Sequence, residues 1–389
     1  MRRIWRICRV WQQSVHPPPS HCLFVADFAM PASNTRFGSS PSVAKCKSIT
    51  LTAKCGEPVI MPVVALGLWK VPADAAFSAV TSALDGGYRH LDCAPVYRNQ
   101  AIVGAAITAY LTEHAETLSR RDLFITSKVF PSPTNMHDNF ENDVRNTLRE
   151  LDLKYLDLCL IHWPFEYEES SLEDMWMAME DLVKNGLVKA IGVSNFSSTK
   201  LKRILEIAEI PVSVNQVEMH AMFRQEALVN FCNNNGVHVT AYGPLGSGDQ
   251  WASDGLGRKC AAEERLLSHP ETLRVAKSAG CTPAQALIAW IVHHRMCSCA
   301  PKSVNPSRQA ENIAAGSRDF VNNNKILGLL STLDKVEPQV RLQHGAFHTG
   351  PPESGKCFRT LEELWDEDVS YMLDRDFERP EGFMLRPSQ

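Results

Sequence analysis

Apolar residues recur along this chain in two alternating patterns. One is a short unbroken run, the other a longer stretch whose apolar positions fall three and four apart. The first reads as a strand covered on both faces, the second as an amphipathic helix. Ahead of the series, Ser48–Lys54 and Glu57–Met61 flank Cys55-Gly56 and predict a β-hairpin. Val64–Leu68 is then the first buried strand, ending at Trp69. Asp74 is the expected cap of a helix with Phe77, Val80 and Leu84 on one face, closed by Gly86 and Gly87.

The alternation continues with strands at Tyr88–Cys93, Leu123–Val129, Leu156–Trp163, Ala190–Phe196, Val212–Met219, Val237–Tyr242 and Met296–Ala300. Between them lie helical patterns over Ala101–Leu111, at Val144, Leu148 and Leu151, and at Leu201, Ile204, Leu205 and Ala208. Another runs over Ala227–Cys232. Ser170 with Glu173 predicts a capping box for the helix that carries Leu172, Met175, Trp176, Met179, Leu182 and Val183. Thr282 and Pro283 open a helix with Ala286, Leu287, Trp290 and Ile291 inward. Eight such strands, most followed by a helix, predict a closed (β/α)8 TIM barrel of the α/β class, with the hairpin before it and a long loop after it. An open doubly wound sheet is the competing topology, and no GxGxxG follows the first strand to support it. The expected division is an N-terminal extension over 1–47, a barrel over 48–345 and a C-terminal loop and tail over 346–389.

Composition narrows the class. Of 389 residues, 44% are hydrophobic and 22% charged, the balance of a globular protein. A formal charge of −4 gives no footprint for nucleic acid, and no run is long enough for a membrane span. The twelve cysteines include no CxxC and there is no HExxH, so the expectation is reduced thiols, no metal and an intracellular setting. The first ~45 residues carry Arg2, Arg3, Arg6 and Arg9 before any acid. They read as an extension of a cytoplasmic protein or as a mitochondrial targeting segment, with Pro17–Pro19 opposing the amphipathic helix that targeting needs.

In a barrel of this kind the chemistry gathers at the C-terminal ends of the strands. Asp92, Tyr97, Lys128, His162, Ser194, Asn195, Gln216, Tyr242 and Lys302 fall there. Four of them can make an acid site. A lysine ammonium beside a tyrosine favours its phenolate, an aspartate keeps the lysine charged, and a histidine at the rim can hold a carbonyl oxygen.

The segment Gly87-Tyr88-Arg89-His90-Leu91-Asp92-Cys93-Ala94 resembles a signature of the aldo-keto reductase superfamily, with Cys93 where a hydroxyl residue is commoner. Similar in turn are Val103-Gly104-Ala105-Ala106, Ser127-Lys128, Leu160-Ile161-His162-Trp163-Pro164 and Ile191-Gly192-Val193-Ser194-Asn195-Phe196. Pro301-Lys302-Ser303 with Arg308, Glu311 and Asn312 completes the series, which runs from Ser48 to about Ile313. The resemblance implies an NADPH-dependent carbonyl reductase acting on a small-molecule aldehyde, ketone or sugar, working as a monomer. It implies Tyr97 as general acid, Lys128 and Asp92 as its tuning groups and His162 as the carbonyl-orienting group.

By the same similarity, Ser194, Asn195 and Gln216 would bind the nicotinamide amide and Tyr242 would stack on its ring. Leu245, Ser247 and Asp249 would close over the pyrophosphate. Lys302, Ser303 and Arg308 would hold the 2′-phosphate, and Glu311 and Asn312 the adenine. Trp69, Val96 and Trp163 would line the substrate pocket. Two departures stand out: Gln100 where many relatives carry Glu, and Gly243 where Ser is frequent. Other readings are a polyol or alcohol dehydrogenase running in the oxidative direction, and a cofactor-binding regulatory subunit, for which an intact tetrad has no use. A hydrolase would need a GxSxG or a metal site, and neither is legible.

Overall fold

The computed structural model describes residues 46–53, 58–131, 136–167, 170–247, 265–322, 324–337, 339–343, 345, 348–349 and 357–367. The expected turn at Cys55-Gly56, Asp249, and the tail beyond Glu367 lie outside them. The hairpin is β1 (Ser48–Leu51) paired antiparallel with β2 (Val59–Pro62). Eight parallel strands follow in sequence order: β3 (Leu66–Gly67), β4 (His90–Asp92), β5 (Phe124–Val129), β6 (Leu156–Ile161), β7 (Val188–Ser194), β8 (Val214–Glu218), β9 (His238–Tyr242) and β10 (Ser298–Ala300). Val64 bridges Cys299, and the amides of Ala65 and Gly67 donate to the carbonyls of Cys299 and Pro301, at 2.8 and 3.0 Å. These bonds join β3 to β10 and close the barrel.

The closing seam explains Gly67. A Cβ there would meet the Ala300 carbonyl oxygen at 2.5 Å, a separation only glycine avoids. It also explains why β3 is two residues long where the apolar run had predicted five: the seam is made of isolated bonds rather than a continuous ladder.

Helices α1 (Ala73–Asp85), α2 (Gln100–Glu113), α3 (Met136–Glu150), α4 (Leu172–Lys184), α5 (Ser198–Ile207) and α6 (Glu226–Asn234) follow successive strands. After β9 come α7 (Pro270–Ala279) and α8 (Pro283–Ala289), the latter running into a π-helical turn at Trp290–His294. Beyond β10 lie α9 (Pro306–Ala315), α10 (Arg318–Val321), α11 (Asn324–Leu330) and α12 (Leu361–Trp365).

Two expected caps sit differently. The N-cap of α1 is Pro72, and Asp74 lies in the first turn, where its charge favours the helix dipole without a capping bond. The capping box of α4 is Ser171 with Asp174, one residue later than Ser170 with Glu173. Ser170 is held in a bridge with Tyr167, and Glu173 is drawn to Arg203 at 2.7 Å.

The hairpin seals the amino end of the barrel. Leu51, Val59 and Met61 pack with Phe124, Leu158, Leu160, Ala190 and Val214 in a cluster of their own. His90, at the start of β4, contacts the Pro62 carbonyl at 2.9 Å and Thr126 at 2.9 Å. The other end is left for chemistry.

Candidate active site

Asp92 ends β4, Lys128 lies in β5 and His162 follows β6, so three neighbouring strands present them to one mouth. Tyr97 is carried on the 3-10 turn Pro95–Tyr97, which closes on Arg98 in the left-handed region at φ 58°. That loop is tied down by Asn99, whose Nδ2 donates to the carbonyls of Leu68 and Val71 at 3.0 and 3.2 Å. Strain at Arg98 is tolerated because these bonds over-determine the turn.

Lys128 Nζ donates to Asp92 Oδ1 at 2.9 Å, to the Cys93 carbonyl at 2.9 Å and to Tyr97 Oη at 3.1 Å. Burial works against the ammonium, but Asp92 foremost and then Tyr97 outweigh it and hold the Lys128 pKa above its ordinary value. Tyr97 departs from the sequence expectation. Burial raises its phenol, Lys128 opposes the rise without cancelling it, and the pKa is pushed up to about 12. In this state the tyrosine is a protonated acid rather than an incipient phenolate.

The His162 ring stands edge-on to Tyr97, with centroids 6.3 Å apart at 83°. Burial first, then the charge of Lys128 and then that of His348, hold its pKa well below the ordinary imidazole value. His162 is therefore a neutral imidazole at neutral pH.

The next two strands continue the rim. Gln216 Nε2 donates to Asp92 Oδ1 at 3.1 Å, and Ser194 Oγ donates to the Gln216 carbonyl at 2.8 Å. Asn195, at φ 65°, donates from Nδ2 to the His162 carbonyl at 3.0 Å and accepts from Tyr242 Oη at 2.8 Å. Ser194, Asn195, Gln216 and Tyr242 are thus bonded into one frame with Asp92 and His162.

Past β9, Gly243 has φ +60°, and a Cβ there would meet Ser247 Oγ at 2.9 Å. The residue that had read as a lost hydroxyl is a backbone requirement, and Ser247 fills the space. Leu245 and Ser247 are half-buried in the same loop.

At the end of β10, Lys302 and Arg308 are exposed around the amino end of α9, whose N-cap Asn305 accepts from the Arg308 amide at 3.1 Å. Ser303 Oγ donates to the Asn305 carbonyl at 3.2 Å. A helix amino terminus flanked by a guanidinium and an ammonium suits a phosphate. Glu311 is half-buried and Asn312 is buried, and the Tyr88 hydroxyl donates to the Gln309 carbonyl at 3.2 Å beside them. Gln309, which the sequence reading passed over, anchors this corner by donating to the carbonyls of Ala79 and Ser303, both at 2.9 Å.

Comparison with known proteins decides the family. The model of the aldo/keto reductase family matches residues 63–324. An aldo/keto reductase of Synechocystis is 39% identical over 330 residues, 80% of this chain and 94% of its own. Aldo-keto reductase family 1 member A1-A of Danio rerio is 40% identical, over 74% of this chain and 90% of its own. The chain belongs to the aldo/keto reductase family. Among solved structures, the aldose reductase of Schistosoma japonicum superposes with a TM-score of 0.62 at 32% identity, over 84% of this chain and 99% of its own. An aldo-keto reductase solved with NADPH gives 0.65 at 29% identity, over 77% and 90%.

In this aldo/keto reductase the mouth is rimmed by apolar side chains. Trp69 is exposed, as is Val96 within the Tyr97 turn, whereas Trp163 is buried. Phe130, one residue past β5, is 39% exposed and stands edge-on to His162 at 6.0 Å and to Phe165 at 5.3 Å. The sequence reading missed Phe130, although its place just beyond Lys128 and Val129 would have given it. It also missed the segment behind Trp163. Phe165, Phe358, Leu361, Leu364 and Trp365 cluster with Trp163, and the His348 ring lies 4.5 Å from Trp163 and 4.3 Å from Phe165. No periodicity marked that segment, because loops and one short helix supply it.

Proposed function

We propose that the protein is an NADPH-dependent carbonyl reductase that converts aldehydes, ketones or small sugars to alcohols, with Tyr97 as the general acid. The carrying observation is the exhaustion of Lys128. An ammonium has three protons and no lone pair, and all three are given to Asp92, Cys93 and Tyr97. Lys128 cannot accept from the phenol, so the Tyr97 proton is available to a carbonyl oxygen in the mouth. Neutral His162 supplies the second hydrogen bond to that oxygen and orients it.

NADPH supplies the hydride when bound. Ser194, Asn195 and Gln216 hold its amide through the side-chain and backbone groups that their mutual bonds leave available, and Tyr242 is braced by Asn195 as a flat support. Leu245 and Ser247 would hold the pyrophosphate, with Asp249, outside the described residues, assigned beside them by resemblance alone. Lys302, Ser303 and Arg308 take the 2′-phosphate at the start of α9, with Glu311 and Asn312 toward the adenine. No carboxylate is needed at that corner for a 2′-phosphate, as one would be for a bare hydroxyl. The solved relative with NADPH supports this choice. Trp69, Val96 and Trp163, with Phe130, give the substrate an apolar wall and leave its polar end to Tyr97 and His162.

Tyr97→Phe tests the assignment. Turnover of aldehydes with NADPH is expected to fall by about 10²–10⁴-fold, with NADPH affinity retained in calorimetric titration. Near wild-type turnover would overturn the general-acid role. The oxidative direction uses the same groups in reverse, and initial rates with alcohols and NADP+ compare the two.

A further inference from the structure

We propose that Lys200 and Arg341 are positioning residues for substrate selection, which fasten residues 357–367 behind the mouth and so set how the enzyme receives bulky carbonyl compounds. The inference rests on the proposed reductase function for its kinetic readout and on geometry for the rest.

Two cations are buried where this segment meets the barrel. The Lys200 side chain, on α5, is 7% exposed, and that of Arg341 is 3% exposed. Lys200 Nζ donates to the carbonyls of Glu363 and Leu364 at 2.8 and 3.2 Å and to Asp366 Oδ2. Ser197, the N-cap of α5, donates to the same Asp366 oxygen. The carbonyls at the end of a short helix have no acceptor role left within it, so a lysine there caps α12 from another element. Lys200 Nζ also stands 5.3 Å from the Phe358 ring centroid.

Arg341 forms the second fastening. Its guanidinium lies 3.7 Å from the Trp365 ring centroid and 4.4 Å from that of Phe223, and it pairs with Glu367. The neighbouring amides of Leu342 and Gln343 each donate to the Glu218 carboxylate, at the end of β8, at 2.7 Å. Thus α5 holds the chain around Trp365 directly through Lys200, and β8 holds the residues next to Arg341, which reaches Trp365 and Glu367.

What the grip holds is an aromatic wall. Trp365 lies 5.8 Å from Trp163, Phe358 lies 5.9 Å from Phe165, and Phe165 leads through Phe130 to His162. Asp92, Lys128 and His162 are placed by β4, β5 and β6, and Tyr97 by the turn that Asn99 ties down; Lys200 and Arg341 make their bonds elsewhere. Slackening the grip therefore changes the wall and leaves the acid. A carbonyl compound small enough to meet only the acid keeps its kinetics, while one with an aromatic body loses its packing.

The test compares wild type with Lys200→Met, Arg341→Gln and the milder Asp366→Asn, using 4-nitrobenzaldehyde and glyceraldehyde as substrates. KM for the aromatic aldehyde is expected to rise about tenfold, the equivalent of about 1.4 kcal/mol, with kcat little changed. For glyceraldehyde both constants, and NADPH affinity by calorimetry, should stay within about twofold. Lys200→Arg should restore most of the loss. Equal effects on both substrates, or none on either, would overturn the proposal. Amide hydrogen exchange over residues 361–366 gives a readout independent of turnover, and protection should fall in Lys200→Met. If wild type reduced no carbonyl, the reductase reading would fall by itself. Unchanged protection in the variant would overturn the fastening whether or not the enzyme turns over.

Discussion

Lys128 has three protons and three acceptors, and this equality governs what Tyr97 can do. With the phenol pushed up to about 12, Tyr97 stays protonated across the whole working range of pH. An ultraviolet difference titration of wild type against Tyr97→Phe should show no phenolate attributable to this residue below about pH 10, the ordinary tyrosine value. A phenolate appearing near pH 8 in the protein without cofactor would contradict the burial that raises it. Gln100 makes a second argument at this scale. It accepts from Ser127 Oγ at 2.8 Å and donates to Glu150 at 2.8 Å, so its amide joins the residue before Lys128 to α3. A carboxylate at this position would set two acids against each other. Gln100→Glu is expected to cost roughly 1–2 kcal/mol at pH 8, measured by urea unfolding.

Among the elements, the seam between β3 and β10 is the place with least room. Gly67→Ala would push a methyl against the Ala300 carbonyl, and a loss of about 1–3 kcal/mol is expected by thermal or urea unfolding. The seam also shows what hydrophobic patterning can reveal. All eight parallel strands were legible because both their faces are covered, which leaves unbroken apolar runs. Their ends were not. Met296 was counted in the last strand, yet it stands at φ 57° ahead of Ser298–Ala300, and the run of apolar residues gives no sign of that bend. The shifted box at Ser171 has a similar cause: Ser170 and Ser171 are adjacent, each with an acid three residues on, and only the bridge from Tyr167 to Ser170 selects between them. The grouping of Asp92, Tyr97, Lys128 and His162 was legible because its members come, in sequence order, from strand ends or the loop directly after one. The aromatic wall was not, since Phe358 and Trp365 reach it from the far end of the chain.

For the whole molecule, buried imidazoles set the response to acid. Burial lowers the pKa of His90 and of His162, and depresses that of His238 to about 4. His238 Nε2 accepts from the Ser298 amide at 3.1 Å, so protonating that nitrogen would lose a bond across the β9–β10 pair. The unfolded chain takes up these protons first. Stability is therefore full above about pH 6.5 and falls as the pH drops toward 4, by about 3 kcal/mol for His238 when both states are compared. Melting temperatures at pH 7, 6 and 5 should decline, and His238→Asn should flatten the slope. A constant melting temperature across that range would show that the folded chain takes up these protons as readily as the unfolded one.

The sealed amino end gives the molecule a back and a front. The hairpin stoppers one side of the barrel with Leu51, Val59 and Met61, while Arg341 and Glu367 meet close to the opening on the other. A linker or solid support joined directly to Cys46, in place of the residues before it, would therefore attach behind the stopper and leave the entrance facing outward. One joined directly to Glu367, in place of the residues after it, would begin at the doorway. For anyone wishing to anchor the protein on a surface and still pass solution over its chemistry, the direction of attachment is already decided by the fold.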